Sequence, residues 1–170
     1  IGEDGKKSLV RGKNNFWGYN PMKKILITGN SGYIGSHLCK MIERDYNWEI
    51  HGLDKDDPIL PVSKFFKQDI RDDSDWGITE KYDCVIHLAA EVAVGKSVIT
   101  PALYYQTNTI GTLNVLDSIK SLKNKCSVVI ITTDKVYYNH EWVYPYREND
   151  RLGGYDPYSA SKACTELLVD

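Results

Sequence analysis

Two periods of hydrophobicity alternate along residues 22–170: short continuous apolar runs, and longer stretches whose apolar positions return every three or four residues. The first run, Lys24-Ile25-Leu26-Ile27-Thr28, is β-branched and short enough for a strand buried on both faces. It breaks into Gly29-Asn30-Ser31-Gly32-Tyr33-Ile34-Gly35, after which Ile34, Leu38, Met41 and Ile42 form a stripe at helical spacing. Further strands are predicted at residues 48–53, at Phe65-Phe66 running toward Asp69-Ile70, at residues 84–88 closed by Ala89-Ala90, and at residues 128–131 leading into Thr132. Pro101 opens a long predicted helix with Leu103, Ile110, Leu113, Val115, Leu116 and Ile119 as its buried positions. A last helix begins near Pro157 and continues to the end of the chain.

This alternation predicts an α/β fold: a Rossmann-type, doubly wound parallel sheet of strand order 3-2-1-4-5 joined by right-handed crossovers. A chain of 170 residues suffices for one such domain, expected over residues 22–170. Residues 1–21, rich in Gly, Lys and Asn with Phe16, Trp17 and Tyr19, follow neither period. They read as a flexible N-terminal extension, either a tag or linker before a start at Met22 or a basic-aromatic arm for a partner. In open parallel sheets ligands sit beyond the carboxyl ends of the strands, where the order reverses. That rule selects the glycine turn, Asp54, Asp69, Ala89-Ala90 and residues 132–135.

Composition narrows the partners. A net charge of −2 gives no electrostatic footprint for nucleic acid, and no apolar run approaches the length of a membrane span. The four cysteines lack metal or redox spacing and are expected to be reduced, buried and structural in a cytoplasmic protein. No metal site is expected, and His87, in an apolar strand, is expected to be a hydrogen-bonded core residue.

The glycine turn carries the first chemistry. Gly29 permits the tight bend, Gly32 lets the backbone approach a pyrophosphate, and Gly35 lets the new helix pack against the strand. Asp54 ends the second strand about 20 residues beyond the last glycine, where a carboxylate accepts ribose hydroxyls and repels a 2′-phosphate; NAD is thus favoured over NADP, with Lys55 as a partial counterweight. A turn-forming role with Lys55-Asp56-Asp57-Pro58 is the other reading of Asp54. Tyr158 and Lys162, four apart, share one helical face, so the ammonium can favour a phenolate able to act as general base. Taken alone, that spacing is common and most often marks an ordinary helix-surface pair.

Together Gly29-x-x-Gly32-x-x-Gly35, His87-Leu88-Ala89-Ala90, Thr133-Asp134-Lys135-Val136-Tyr137 and Tyr158-x-x-x-Lys162 resemble the extended short-chain dehydrogenase/reductases, the NAD-dependent nucleotide-sugar epimerases and dehydratases. The middle of the chain, Ala93 to Val98 with Tyr104-Tyr105, is similar to UDP-hexose 4-epimerases. From Thr132 onward it is more similar to the CDP-glucose 4,6-dehydratases. The resemblance implies oxidation of a nucleotide-diphosphate hexose at C4 by tightly bound NAD, followed for a dehydratase by loss of water across C5 and C6 and hydride return at C6.

It further implies Tyr158 as base at the 4-hydroxyl, Thr133 as hydrogen-bond partner of the same oxygen, and Lys162 at the nicotinamide ribose. Asp134 would be the acid at the C6 hydroxyl and Lys135 the C5 base, a role a lysine fills only when burial or a neighbouring cation lowers its pKa. An exposed ion pair capping the strand remains the plainer reading of Asp134 and Lys135. Were strand geometry to continue, Thr133 and Lys135 would face one side and Asp134 the other, so the backbone is expected to turn here.

For the cofactor the resemblance implies Gly29, Ser31, Gly32, Tyr33, Ile34 and Gly35 at the pyrophosphate, Asp54 at the ribose, Asp69 and Ile70 at adenine, and Leu88, Ala89, Ala90 and Thr107 at the nicotinamide side. Asn108 is expected to serve packing or backbone hydrogen bonding, and Val92 stands near a position where epimerases often carry a lysine. Family members continue past this point, so the chain is expected to be incomplete at its C-terminus, and the full-length form is expected to be a homodimer. Dehydratase, epimerase and non-catalytic nucleotide-binding domain remain the three readings.

Overall fold

Consecutive β-branched residues can be buried only if both faces of a strand are covered. The computed structural model, which describes residues 22–73, 75–122 and 124–169, covers both. The predicted extension at residues 1–21 lies outside the described residues. Strands β1 (Lys24–Thr28), β2 (Glu49–Asp54), β3 (Lys64–Lys67), β4 (Cys84–His87) and β5 (Ser127–Ile130) form one parallel sheet in the order β3-β2-β1-β4-β5, as the alternation of periods predicts. On one face Ile25, Ile27 and Ile50 pack with Cys39 and Ile42 of α1 (Tyr33–Asp45). On the other, Leu26, Leu53 and Val85 meet Val115 of α4 (Gly111–Lys120) together with Ile70, Trp76, Ile78 and Tyr82. Thr28 pairs in register with Leu53 on β2 and His87 on β4, so the three central strands end level and open a crevice above β1. Among the described residues no helix is long and apolar enough to cross a membrane.

The helix predicted from Pro101 is interrupted. A short unpredicted helix α2 (Val94–Ile99) precedes α3 (Pro101–Tyr104), a π-helical segment Tyr105–Ile110 follows, and only then α4 begins. Ile110 and Leu113 are exposed, while Tyr104, Asn108, Gly111, Thr112 and Val115 are buried. A π turn takes more residues per turn and rotates every later side chain, so a stripe drawn through it at 3.6 residues per turn selects the wrong face. The buried face is also largely polar, which an apolar period does not register. In α1, likewise, Ile34 and Met41 are exposed whereas the small residues Gly35, Ser36 and Cys39 lie against the sheet. All four cysteines are free, but only Cys39 is buried; the other three are half-buried.

Glu49, His51 and Glu80 converge, with possible ligand atoms within 4.8 Å of one another. Their cation is a lysine: Lys24 Nζ lies 2.5 Å from Glu80 and 3.2 Å from Glu49, and Lys64 Nζ lies 2.8 Å from Glu80. The hydrogen bond from Lys24, then that from Lys64, holds the Glu80 carboxyl down at about 2. Because the folded pKa lies below the ordinary value, this network stabilises the fold above about pH 4.5 and the contribution is lost as pH falls toward 2. Glu80→Gln is expected to flatten the acid limb of stability in that window, measured by urea unfolding against pH.

Candidate active site

At the crevice the chain leaves β1 through Gly29, whose φ of +74° falls in the left-handed region and whose N–H donates to the Leu53 carbonyl at 2.8 Å. A Cβ at Gly29 would stand 2.6 Å from the Ala89 nitrogen, and one at Gly35 only 2.1 Å from the Gly29 carbonyl oxygen. The glycines thus allow turn, helix and neighbouring strand exit to touch backbone to backbone. Helix α1 starts after Gly32 with no side chain capping it and no acidic residue in its first turn. Its free N–H groups and positive dipole end suit an anion such as a pyrophosphate.

The cleft above has a volume of about 210 Å³ and is lined by ten of the predicted cofactor residues: Gly29, Ser31, Gly32, Asp54, Asp69, Ile70, Leu88, Ala89, Ala90 and Thr107. Tyr33 and Ile34 stand exposed beside it on the first turn of α1. Asp54 is oriented by the turn, Oδ2 accepting from the Ser31 N–H at 2.9 Å and Oδ1 from the Asp56 N–H at 3.1 Å. Asp54 thus shapes its own turn and also lines the cleft. Lys55, expected as a counterweight to Asp54, and Asp56 of the same turn also line the cleft; Gln68, Arg71 and Glu91 were not predicted, although each lies next to a predicted residue. Arg71 donates to both Asp69 oxygens, at 2.6 to 3.1 Å, and holds that carboxyl below its usual range. Lys55 faces Glu91 across the cleft mouth at 3.5 Å.

Beyond β5 the chain stays extended through Thr133, at φ −154° and ψ 151°, then turns into a 3₁₀ segment Asp134–Val136. The expected bend is present. Thr133 Oγ1 accepts from the Lys135 N–H at 3.3 Å and donates to Asp134 Oδ1 at 3.2 Å; Asp134 and Lys135 are exposed. Helix α5 (Pro157–Val169) packs against this turn and carries both Tyr158 and Lys162. Tyr158 is half-buried with its ring edge-on to Tyr104, centroids 6.4 Å apart. Lys162 is only 3% exposed, and its ammonium donates to the Ile131 carbonyl at 2.6 Å. Burial pulls its pKa down to about 8, against the opposing charge of Glu166.

A buried polar chain ties the two ends of the site together. Thr28 Oγ1 meets His87 Nδ1 at 2.6 Å, His87 Nε2 meets Thr112 Oγ1 at 3.0 Å, and Thr112 donates to the Asn108 carbonyl at 2.6 Å. Burial first, and then the Lys162 charge, push the His87 pKa down to about 3, so it is the neutral core residue the sequence implies. Asn108, buried in the π segment, accepts from the Glu91 N–H at 2.8 Å and donates to the Glu91 carbonyl at 3.0 Å and to Ser161 Oγ at 2.9 Å. It is a backbone clamp between the cleft and α5, as its predicted role requires.

A family model described as the NAD dependent epimerase/dehydratase family matches residues 25–170. CDP-glucose 4,6-dehydratase of Salmonella typhimurium is 37% identical over 168 residues, 91% of this chain and 46% of that protein. UDP-glucose 4-epimerase of Yersinia enterocolitica is 35% identical over 162 residues, 85% of this chain and 47% of that protein. A crystal structure of UDP-galactose 4-epimerase superposes with a TM-score of 0.72 at 29% identity, over 85% of this chain and 50% of that one. The chain spans about half the length of the relatives it matches.

Proposed function

The chain belongs to the NAD dependent epimerase/dehydratase family, and from that premise we propose that it carries the cofactor-binding and acid–base residues of a nucleotide-sugar 4,6-dehydratase. NAD rather than NADP is the proposed cofactor, residues 22–170 its binding domain, and CDP-glucose the first substrate to test. Bound NAD would supply the oxidant for the sugar's C4 and later the reductant for C6.

The residues divide the remaining work. The first-turn N–H groups of α1 hold the pyrophosphate, while Asp54 accepts the ribose hydroxyls and disfavours a 2′-phosphate. Tyr158 takes the proton from the 4-hydroxyl, Thr133 hydrogen-bonds the same oxygen, and Lys162, as an ammonium, holds the nicotinamide ribose and favours the phenolate. Asp134 protonates the departing C6 hydroxyl, and Lys135, exposed in the free chain, takes the C5 proton once bound substrate covers it.

The observation that carries this reading is the 3₁₀ turn directly after Thr133, packed on α5. In this reading the turn offers an acid and a base in addition to the Thr, Tyr and Lys roles that would suffice for epimerisation. The 37% identity with a 4,6-dehydratase supports the same choice.

Incubation of the full-length protein with CDP-glucose and with UDP-glucose in deuterated water tests it. A 4-keto-6-deoxy product carrying deuterium at C5 is expected; a C4-inverted hexose without solvent deuterium would replace this reading with the epimerase. Tyr158→Phe is expected to lower kcat by about 10²–10⁴ with little change in KM, as removal of a general base does.

A further inference from the structure

The Tyr158 and Lys162 stripe on α5 continues one helical step further, to Glu166. Glu166 accepts a short hydrogen bond from the Thr132 hydroxyl. The preceding residue, Ile131, gives its carbonyl to Lys162 Nζ at 2.6 Å. Two consecutive residues of the β5 exit are therefore pinned by two consecutive steps of the stripe, and Thr133 is the next residue along. An adjacent face of α5 is held independently: Thr165 Oγ1 donates to the Asn108 carbonyl at 2.8 Å and Thr109 Oγ1 to the Ser161 carbonyl at 3.2 Å. With that face fixed, the helix meets the strand exit through Lys162 and Glu166.

Electrostatics point the same way. The elements packed against α5 carry Lys96 on α2, Tyr104 on α3, Tyr105 on the π segment, and Asp134 and Lys135 on the 3₁₀ turn, and the Lys162 charge also acts on His87 of β4, which is neutral at working pH. Tyr158 and Glu166 share its own helix, and Glu166 is the carboxylate whose charge acts on the buried ammonium.

We propose that Glu166 is a positioning residue for the acid–base pair: through Thr132 it sets the strand exit that bears Thr133, and its charge keeps the buried Lys162 protonated. The proposal rests on the roles assigned above to Tyr158 and Lys162.

The full-length protein, labelled with ¹³C at the lysine Cε and with the Lys162 signal identified by its loss in Lys162→Arg, provides the test. Glu166→Gln keeps an acceptor for Thr132 but removes the charge. It is expected to move both the Lys162 titration and the alkaline limb of kcat to lower pH by about one unit. Thr132→Val is expected to leave the Lys162 titration in place while lowering kcat about tenfold at unchanged KM, through misplacement of Thr133. A Lys162 titration unmoved in Glu166→Gln overturns the proposal. Because that titration needs no substrate, a protein inert toward nucleotide sugars whose Lys162 still responds to Glu166 would overturn the functional reading and leave the coupling of Glu166 to Lys162 standing.

Discussion

Gly35→Ala is expected to destabilise the fold by about 3 kcal/mol and to weaken NAD binding at least about 100-fold. The added Cβ would lie 2.1 Å from the Gly29 carbonyl oxygen and 2.7 Å from the Asn30 Cα. These are backbone atoms, which cannot swing aside as a side chain can. Gly29 is itself held by the Leu53 carbonyl and packs on the Ala89 backbone, so the strain cannot pass inward. The start of α1 must move outward instead, carrying its N–H groups away from the pyrophosphate. Losing charge-assisted hydrogen bonds worth about 1.5–3 kcal/mol each accounts for the affinity change. Gly95→Ala is the control: open space surrounds that position in α2, and helix propensity favours alanine by up to about 1 kcal/mol. Calorimetric titration with NAD and urea unfolding of both variants decide the matter. An affinity within tenfold of the parent in Gly35→Ala would contradict the packing argument.

Lys162→Met is expected to stop turnover and yet stabilise the protein at neutral pH. Burial brings the Lys162 pKa from its ordinary 10.5 to about 8. Below about pH 8 the side chain is charged in both folded and unfolded states, and the folded state carries the full cost of burying it, up to about 3 kcal/mol at 1.36 kcal/mol per unit. Between about pH 8 and 10.5 the folded state gives up the proton while the unfolded chain keeps it, so the parent's stability rises with pH. Methionine removes that cost but leaves the Ile131 carbonyl without its donor, at about 1 kcal/mol. A net gain of about 2 kcal/mol at pH 7, shrinking toward pH 10, is therefore expected in urea unfolding. A methionine variant less stable than the parent at pH 7 would show that the buried ammonium is an asset to the fold. The expected trade of stability for chemistry is characteristic of a charge kept for function.

The sequence by itself determined the parallel sheet and its order, because strand burial and crossover handedness depend on local periodicity and on topology that admits few solutions. It also determined the glycine turn and the Tyr158 and Lys162 face, each of which follows from a few adjacent residues, while the bend after Thr133 followed from the roles that the resemblance implies for Thr133, Asp134 and Lys135. Tertiary structure decided the rest. Asn108 meets Glu91 across 17 positions, His87 meets Thr112 across 25 and Thr28 across 59, only because the fold gathers them, and a hydrophobic period passes over buried polar residues. The π segment that turns Asn108 toward Glu91 has no apolar signature, and it displaced Ile110 and Leu113 from the core face assigned to them. Arg71 and Glu91 enter the cleft because loops from separate strands converge there. Above all, spacing put Lys162 beside Tyr158, but only packing buried its ammonium under the exit of β5, where desolvation sets its charge and Glu166 sustains it.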